Sequence, residues 1–470
     1  MTAVLNKSHP HIVIVGGGIT GLSAAHALSG RARVTLLESD SKLGGQLTTT
    51  TLETPHGTAV VDGGAESFIT RKPEAYELAL ELGLEAALVN PGAETKGVYL
   101  LRDGAMLEVP TSPPALLRSK LLSFAGKLRL LREPLVAPGM KTADESLLNF
   151  LERRIGTEAA GVFAPVMAGI YSSDPAEQSV LGSFPILRDL EANGGLVRGM
   201  LKRRKPKSLR PNTPIPRAIS FSGGVSDLVD ALEVKLRAQA ETETKLNARV
   251  TSVSATKRIT LESGETMNAD AIILACPANV SEKLLQSSAP GAAQALAQLE
   301  HSSIGTLALV YPEAALAQHR EKRGLMIPRG EGRAIDAVLF TSNKLPARAT
   351  PGLTLIRVFF GAARPDLVAA PDDALLAVVR SELRDLLGLE GEPLAHHSFR
   401  WANSFPKMTV GHPDRVTAAE RAMPSGAFLA GASYRGLGVP DCVRQGREAA
   451  ARALKYAARL EENSAELVSA

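Results

Sequence analysis

The chain has 470 residues, 44% hydrophobic and 22% charged, which gives a globular protein with room for two or three cores and excludes a disordered or fibrous chain. A formal net charge of +4 is small for that length, and no stripe of basic and aromatic residues marks a nucleic-acid partner. The two cysteines, Cys276 and Cys442, lack C-x-x-C spacing and the nine histidines form no H-E-x-x-H, which argues against a disulfide framework and a metal site.

The opening MTAVLNKSHP is too polar for a signal peptide, and no apolar run is long enough to span a bilayer. The expectation is a cytoplasmic protein with at most peripheral contact to the inner face of the cell membrane. Apolar residues 12–15 then run into Gly16, Gly17 and Gly18, and Gly21 closes a G-x-G-x-x-G pattern ahead of a small-residue helix. Strand, tight turn and helix are the parts of a dinucleotide site. Gly16 permits the turn, Gly18 admits a pyrophosphate to the backbone, Gly21 lets helix pack on strand, and the amides of Ile19 and Thr20 face the phosphate. A second strand at 34–37 delivers Glu38 to bond a ribose hydroxyl. Ser39, Lys42, Gly44, Gly45 and Gln46 follow, either a loop whose backbone approaches the cofactor or a plain surface turn.

Two β runs joined by Pro55-His56-Gly57 read as a hairpin, which ends at Asp62, Gly63, Gly64, Ala65 and Glu66. Glycine again implies close backbone approach, and Phe68 either faces a planar ring or fills a core. GGGITGLSAAHAL, ESDSKLGGQ and VDGGAESF together resemble the opening of the FAD-dependent amine oxidase superfamily. KGVYLLRDGAMLEVPTSPPALL (96–117), SLLNFLERRIGTEAAGVFAPVMAGIYSSDPAEQSVLGSFPIL (146–187) and FSGGVSDLVDAL (221–232) are similar to the oxygen-dependent protoporphyrinogen and coproporphyrinogen oxidases of haem biosynthesis. The similarity extends over nearly the whole chain.

From 116 to about 201 the pattern is helical, with Thr142 or Asp144 as the candidate cap of a helix through Phe150. Phe163, Met167, Ile170 and Tyr171 recur at helical spacing, as core or as pocket lining. The resemblance makes this lobe one side of the substrate cavity and the membrane-facing surface. The basic run 198–210, RGMLKRRKPKSLR, is a solvated loop or a footprint on an anionic membrane. Strands then return: 219–224, the alternation at 249–253 and the buried-looking 270–275, with Val250 placed by the family's pattern against the adenine. Strands near 306–311, 337–341 and 353–360 among helices suggest an α+β lobe. WANSFPKMTVGH (401–412) resembles a family segment that usually carries glutamine at Lys407 and tyrosine at Met408; His412 is an acid or base, or a structural histidine.

In FLAGASYRGLGVPDCVRQG, Gly431 ends a β run, Gly436 and Gly438 form a turn, and Pro440-Asp441 starts a helix. The family directs that helix at the pyrimidine end of the flavin, with Gly438, Val439 and Asp441 as contacts.

The expected fold is therefore α/β: a discontinuous Rossmann-type FAD-binding domain (1–90, 216–280, 422–470), an α+β substrate-binding lobe (91–115, 281–421) and a helical, membrane-facing lobe (116–215). No catalytic side chain is expected, because flavin N5 takes the hydride. The resemblance implies oxidation of a porphyrinogen in three two-electron steps, O2 as acceptor, H2O2 as product, and handover to the next haem-pathway enzyme by a monomer or homodimer. Phe68, Met167, Ile170, Tyr171 and Lys407 are the substrate-side candidates. Animal members use an arginine near the position of Phe68 for a propionate, so Arg102 and Arg188 become the candidate cations. Other readings are an amine oxidase or carotenoid desaturase, and a non-catalytic flavin-binding accessory protein.

Overall fold

The computed structural model describes residues 9–91, 97–110, 112–119, 121–202 and 218–469. Positions 203–210, most of the basic run, lie outside the described residues.

Five parallel strands form the nucleotide sheet, in the order Thr242–Lys245, Arg33–Leu37, His11–Val15, Ala271–Leu274 and Ala427–Leu429. The central strands read IVIV and AIIL because both their faces are covered. One face carries the helix Ile19–Leu28 and the long closing helix Val439–Ser469, joined to the sheet in a single apolar core. Small residues allow that contact: a Cβ on Gly446 would lie 2.3 Å from the Thr20 carbonyl oxygen. Val13, Val15, Ile272 and Leu274 on the other face pack against an antiparallel unit, Val250–Val253, Arg258–Leu261 and Thr266–Asn268, and the helices Ala278–Leu285 and Pro290–Leu296.

A second sheet of seven strands runs Ala395–Pro406, His301–Pro312, Leu353–Phe360, Ala337–Leu339, Lys322–Met326, Gly97–Arg102 and Ala105–Glu108. It is antiparallel except where Lys322–Met326 meets Gly97–Arg102. The helix Asp372–Leu387 buries Leu375, Val379, Leu383 and Leu387, a four-residue repeat, against one face. The hairpin Thr49–Thr54/Gly57–Asp62 covers Ala308, Val310 and Leu355 on the other.

The helical region centres on Leu147–Ile155 and Thr157–Gly169. Its first helix is capped by Ser146, whose Oγ accepts from the Asn149 amide at 3.2 Å, and not by Thr142 or Asp144. Asp144 instead accepts from Ser179 Oγ and the Gly411 amide, both at 2.7 Å, and so ties this region to the segment before residue 412. The strand expected at 337–341 stops at Leu339, because Thr341 opens a short helix.

Candidate active site

Four glycine-bearing segments converge at the carboxyl ends of the nucleotide strands. Gly16 turns the chain with φ +110, and a Cβ there would meet the Ala275 carbonyl oxygen at 2.8 Å. A Cβ on Gly21 would sit 1.9 Å from the Gly16 oxygen, so only glycine lets the helix lie this close to its strand. Gly18 differs: its own neighbours in the chain apart, no atom of the described residues lies within 4 Å of its would-be Cβ. It is also the N-cap of Ile19–Leu28, which has no side-chain cap and no acid in its first turn. Open space beside uncapped amides, those of Ile19 and Thr20 included, is a cradle for an anion.

Glu38 closes one side. Its Oε2 accepts from the Gly17 amide at 2.6 Å, and its Oε1 from the Asp40 amide at 2.9 Å and Ser39 Oγ at 3.1 Å. Its own carbonyl accepts from Ala248 at 2.7 Å, two residues before Val250, which brings Val250 to the same edge. The second loop reaches the first where the Gly44 amide donates to the Gly17 carbonyl at 2.9 Å; Gly45 is exposed above Gly18. Lys42 is exposed and donates to Thr48 Oγ1 at 3.3 Å, and Gln46 Nε2 donates to the Ser404 carbonyl at 3.3 Å. Gly64 continues the arrangement, its would-be Cβ 2.4 Å from the Gln46 oxygen.

The last segment returns from the far end of the chain. Gly431, with φ +128, lies against Thr20 and Ala275, and Val439 begins the closing helix. The Asp441 carboxylate is held by Lys72 Nζ at 2.6 and 2.7 Å and lies beside Gly436 and Gly438. Its charge also acts on Tyr171: burial foremost, and then Asp441, push the phenol above its ordinary pKa. Tyr171 donates to the Ser183 carbonyl at 2.8 Å and stands edge-on to Phe184, so the helical region reaches this end of the site.

Several expected roles change. Phe68 is 5% exposed, with its ring packed on Phe221, and its side chain belongs to the nucleotide core. Glu66 is a buried ion-pair partner of Lys344 and Arg357; burial works to raise its pKa, but these cations hold it down to about 2. The stripe of Phe163, Met167, Ile170 and Tyr171 splits, because the helix ends at Gly169. Phe163 and Met167 pack on the helical core, whereas Ile170 is 61% exposed. Arg188 is no free cation: it is paired with Glu191 at 2.7 Å and Glu145 at 2.9 Å and donates to the Ala143 carbonyl. Arg102 is part-exposed beside Asp103, and Lys407 is half-buried with Nζ 3.7 Å from Glu300. His412 is structural: Nε2 bonds the Tyr434 carbonyl at 3.0 Å, and burial lowers its pKa to about 4. Among the described residues no group of histidine, cysteine and acid could hold a metal. Lys72, Lys344 and Arg357 were missed, though a lone arginine inside the apolar LTLIRVFF is a signal of a buried charge that needs a partner.

A family model described as flavin containing amine oxidoreductase matches residues 19–454. A coproporphyrinogen III oxidase from Bacillus subtilis is 31% identical, over 96% of this chain and 99% of its own. Another from Propionibacterium freudenreichii is 32% identical, over 95% and 91%. The crystal structure of a protein assigned as a protoporphyrinogen oxidase, from Exiguobacterium sp. 255-15, superposes with a TM-score of 0.78 at 26% identity, covering 95% of this chain and 99% of that one.

Proposed function

Because the chain belongs to the flavin containing amine oxidoreductase family and, within it, to the protoporphyrinogen and coproporphyrinogen oxidases, we propose that it oxidises coproporphyrinogen III to the porphyrin. The observation that carries this choice is the near-complete coverage by two relatives of that name at 31% and 32% identity. FAD, when bound, supplies the two-electron chemistry, used three times per substrate, with O2 as the acceptor and H2O2 as its product.

The chain's own residues bind, orient and exclude water. Gly16, Gly18, Ile19, Thr20 and Gly21 take the pyrophosphate, and Glu38 the adenine ribose. Ser39, Lys42, Gly44, Gly45 and Gln46 close over the phosphates, and Val250 lies at the base. Gly63, Gly64, Ala65, Gly431, Gly438, Val439 and Asp441 hold the ring end; Glu66 serves through its ion pairs. Met167, Ile170, Tyr171 and Lys407 remain the substrate-side candidates. Lys72, paired with Asp441 but 47% exposed, takes the place of the buried Arg188 as the candidate cation for a propionate.

A peripheral membrane contact is part of the same reading. Phe124, Leu128 and Leu131 form one stripe of the helix Phe124–Leu131 and are 85%, 44% and 61% exposed; Leu135 and Met140 nearby are 77% and 74% exposed. An apolar face with Lys127 and Arg132 beside it suits the headgroup region of an anionic bilayer. No helix of the described residues is long and apolar enough to cross a membrane.

Anaerobic mixing with coproporphyrinogen III is expected to bleach the flavin, and admission of air to yield porphyrin fluorescence. An unresponsive flavin would overturn the reading, and faster turnover of protoporphyrinogen IX would overturn the choice of substrate.

A further inference from the structure

The loop that follows the hairpin is fixed to the seven-stranded sheet by groups outside the cofactor contacts. Arg357, 1% exposed at the middle of Leu353–Phe360, donates through Nη2 to the Gly63 carbonyl at 2.6 Å and the Gly64 carbonyl at 2.8 Å, and through Nη1 to Glu66 at 3.1 Å. Thr306 Oγ1 donates to the same Gly63 oxygen at 2.9 Å. Glu66 also accepts from Lys344 at 2.8 Å and Thr341 at 3.1 Å, and Asp62 pairs with Arg348 at 2.8 Å. Lys344, Arg348 and Arg357 face Asp62 and Glu66, and the charge of Arg348 also acts on Asp227, so three cations meet three carboxylates and the cluster balances.

Peptide planarity converts this clamp into an orientation. In a trans peptide the carbonyl and the following N–H point in opposite directions. Two carbonyls drawn to one guanidinium nitrogen therefore turn the amides of Gly64 and Ala65 away from the sheet. Neither amide has a protein acceptor among the described residues.

We infer that Arg357 is a positioning residue for FAD: it fixes the Gly64 and Ala65 amides as donors to the cofactor. The inference rests on FAD lying against residues 63–65. Two substitutions test it. R357K keeps the charge but gives up the rigid fork that spans both carbonyls, so the Kd of the apoprotein for FAD should rise roughly tenfold. K344M removes a neighbouring charge but keeps the clamp, so its Kd for FAD should stay at the wild-type value.

Titration of the apoprotein with FAD reads both. A wild-type Kd in R357K, or a Kd raised as far in K344M as in R357K, overturns the inference while the flavin reading stands. A wild-type chain that takes up no FAD overturns both. If R357K does not fold, R357M/E66Q removes a buried charge of each sign and carries the same expected rise in Kd.

Discussion

At the scale of single residues, the glycines of the opening turn have separable duties. A Cβ on Gly21 would meet the Gly16 carbonyl, whereas one on Gly18 would meet no other segment among the described residues. Gly18 also has φ −71 and ψ 176, a conformation open to any residue. Gly18→Val should therefore fold to a protein whose stability lies within about 0.5 kcal/mol of the parent's, yet purify without flavin. Flavin absorbance per mole of protein, measured beside a denaturation curve, checks this; full flavin content would refute the assignment of the turn. His412 makes a different prediction. Its pKa in the folded protein is about 4, below the ordinary 6.5, so the unfolded chain binds the proton first as the pH falls. Its contribution is complete above pH 6.5 and is lost between 6.5 and 4, to an amount on the order of 3 kcal/mol. Urea denaturation of His412→Asn should show a flatter loss of stability across that window, and a slope equal to the parent's would remove the histidine as the cause. Arg188 and Asp144, whose roles differ from the sequence expectation, and Glu66, whose ion pairs the sequence does not show, are all polar groups with partners in another segment. Charge is legible in one dimension, but pairing is not.

At the scale of elements, legibility followed local chemistry. The opening strand, helix and acid, the hairpin at Pro55-His56-Gly57 and the strand Leu353–Phe360 all carry their own pattern and turn residues, and all form as expected. The strand Ala395–Pro406 was not legible, because its sequence, AHHSFRWANSFP, lacks a clear alternation. It is a strand through its long register with His301–Pro312, where tertiary pairing outweighs propensity. The helix Phe124–Leu131 shows the converse: its apolar stripe is sequence-evident, yet none of its residues is buried. Phe124→Ser, Leu128→Ser and Leu131→Ser combined should leave flavin content and turnover intact and greatly reduce cosedimentation with anionic liposomes. Undiminished cosedimentation would move any membrane contact elsewhere, with the basic run as the next candidate.

At the scale of the whole molecule, the fold class was legible because the glycine motifs at both ends of the chain imply one cofactor, and a cofactor held by both ends implies a discontinuous sheet. The clamp on the flavin loop was not, since Gly63 and Arg357 are joined only when the seven-stranded sheet docks on the hairpin. The same discontinuity has a consequence for how the protein is made. His11–Val15 is among the first described strands to leave the ribosome, but its partner Ala271–Leu274 follows some 260 residues later and the edge Ala427–Leu429 later still. Until then His11–Val15 has Arg33–Leu37 on one side and an open, aggregation-prone edge on the other. The cradle proposed for the cofactor takes its last segment from the helix that starts at Val439, so the early glycine turns cannot hold flavin from all sides until that helix has docked on them.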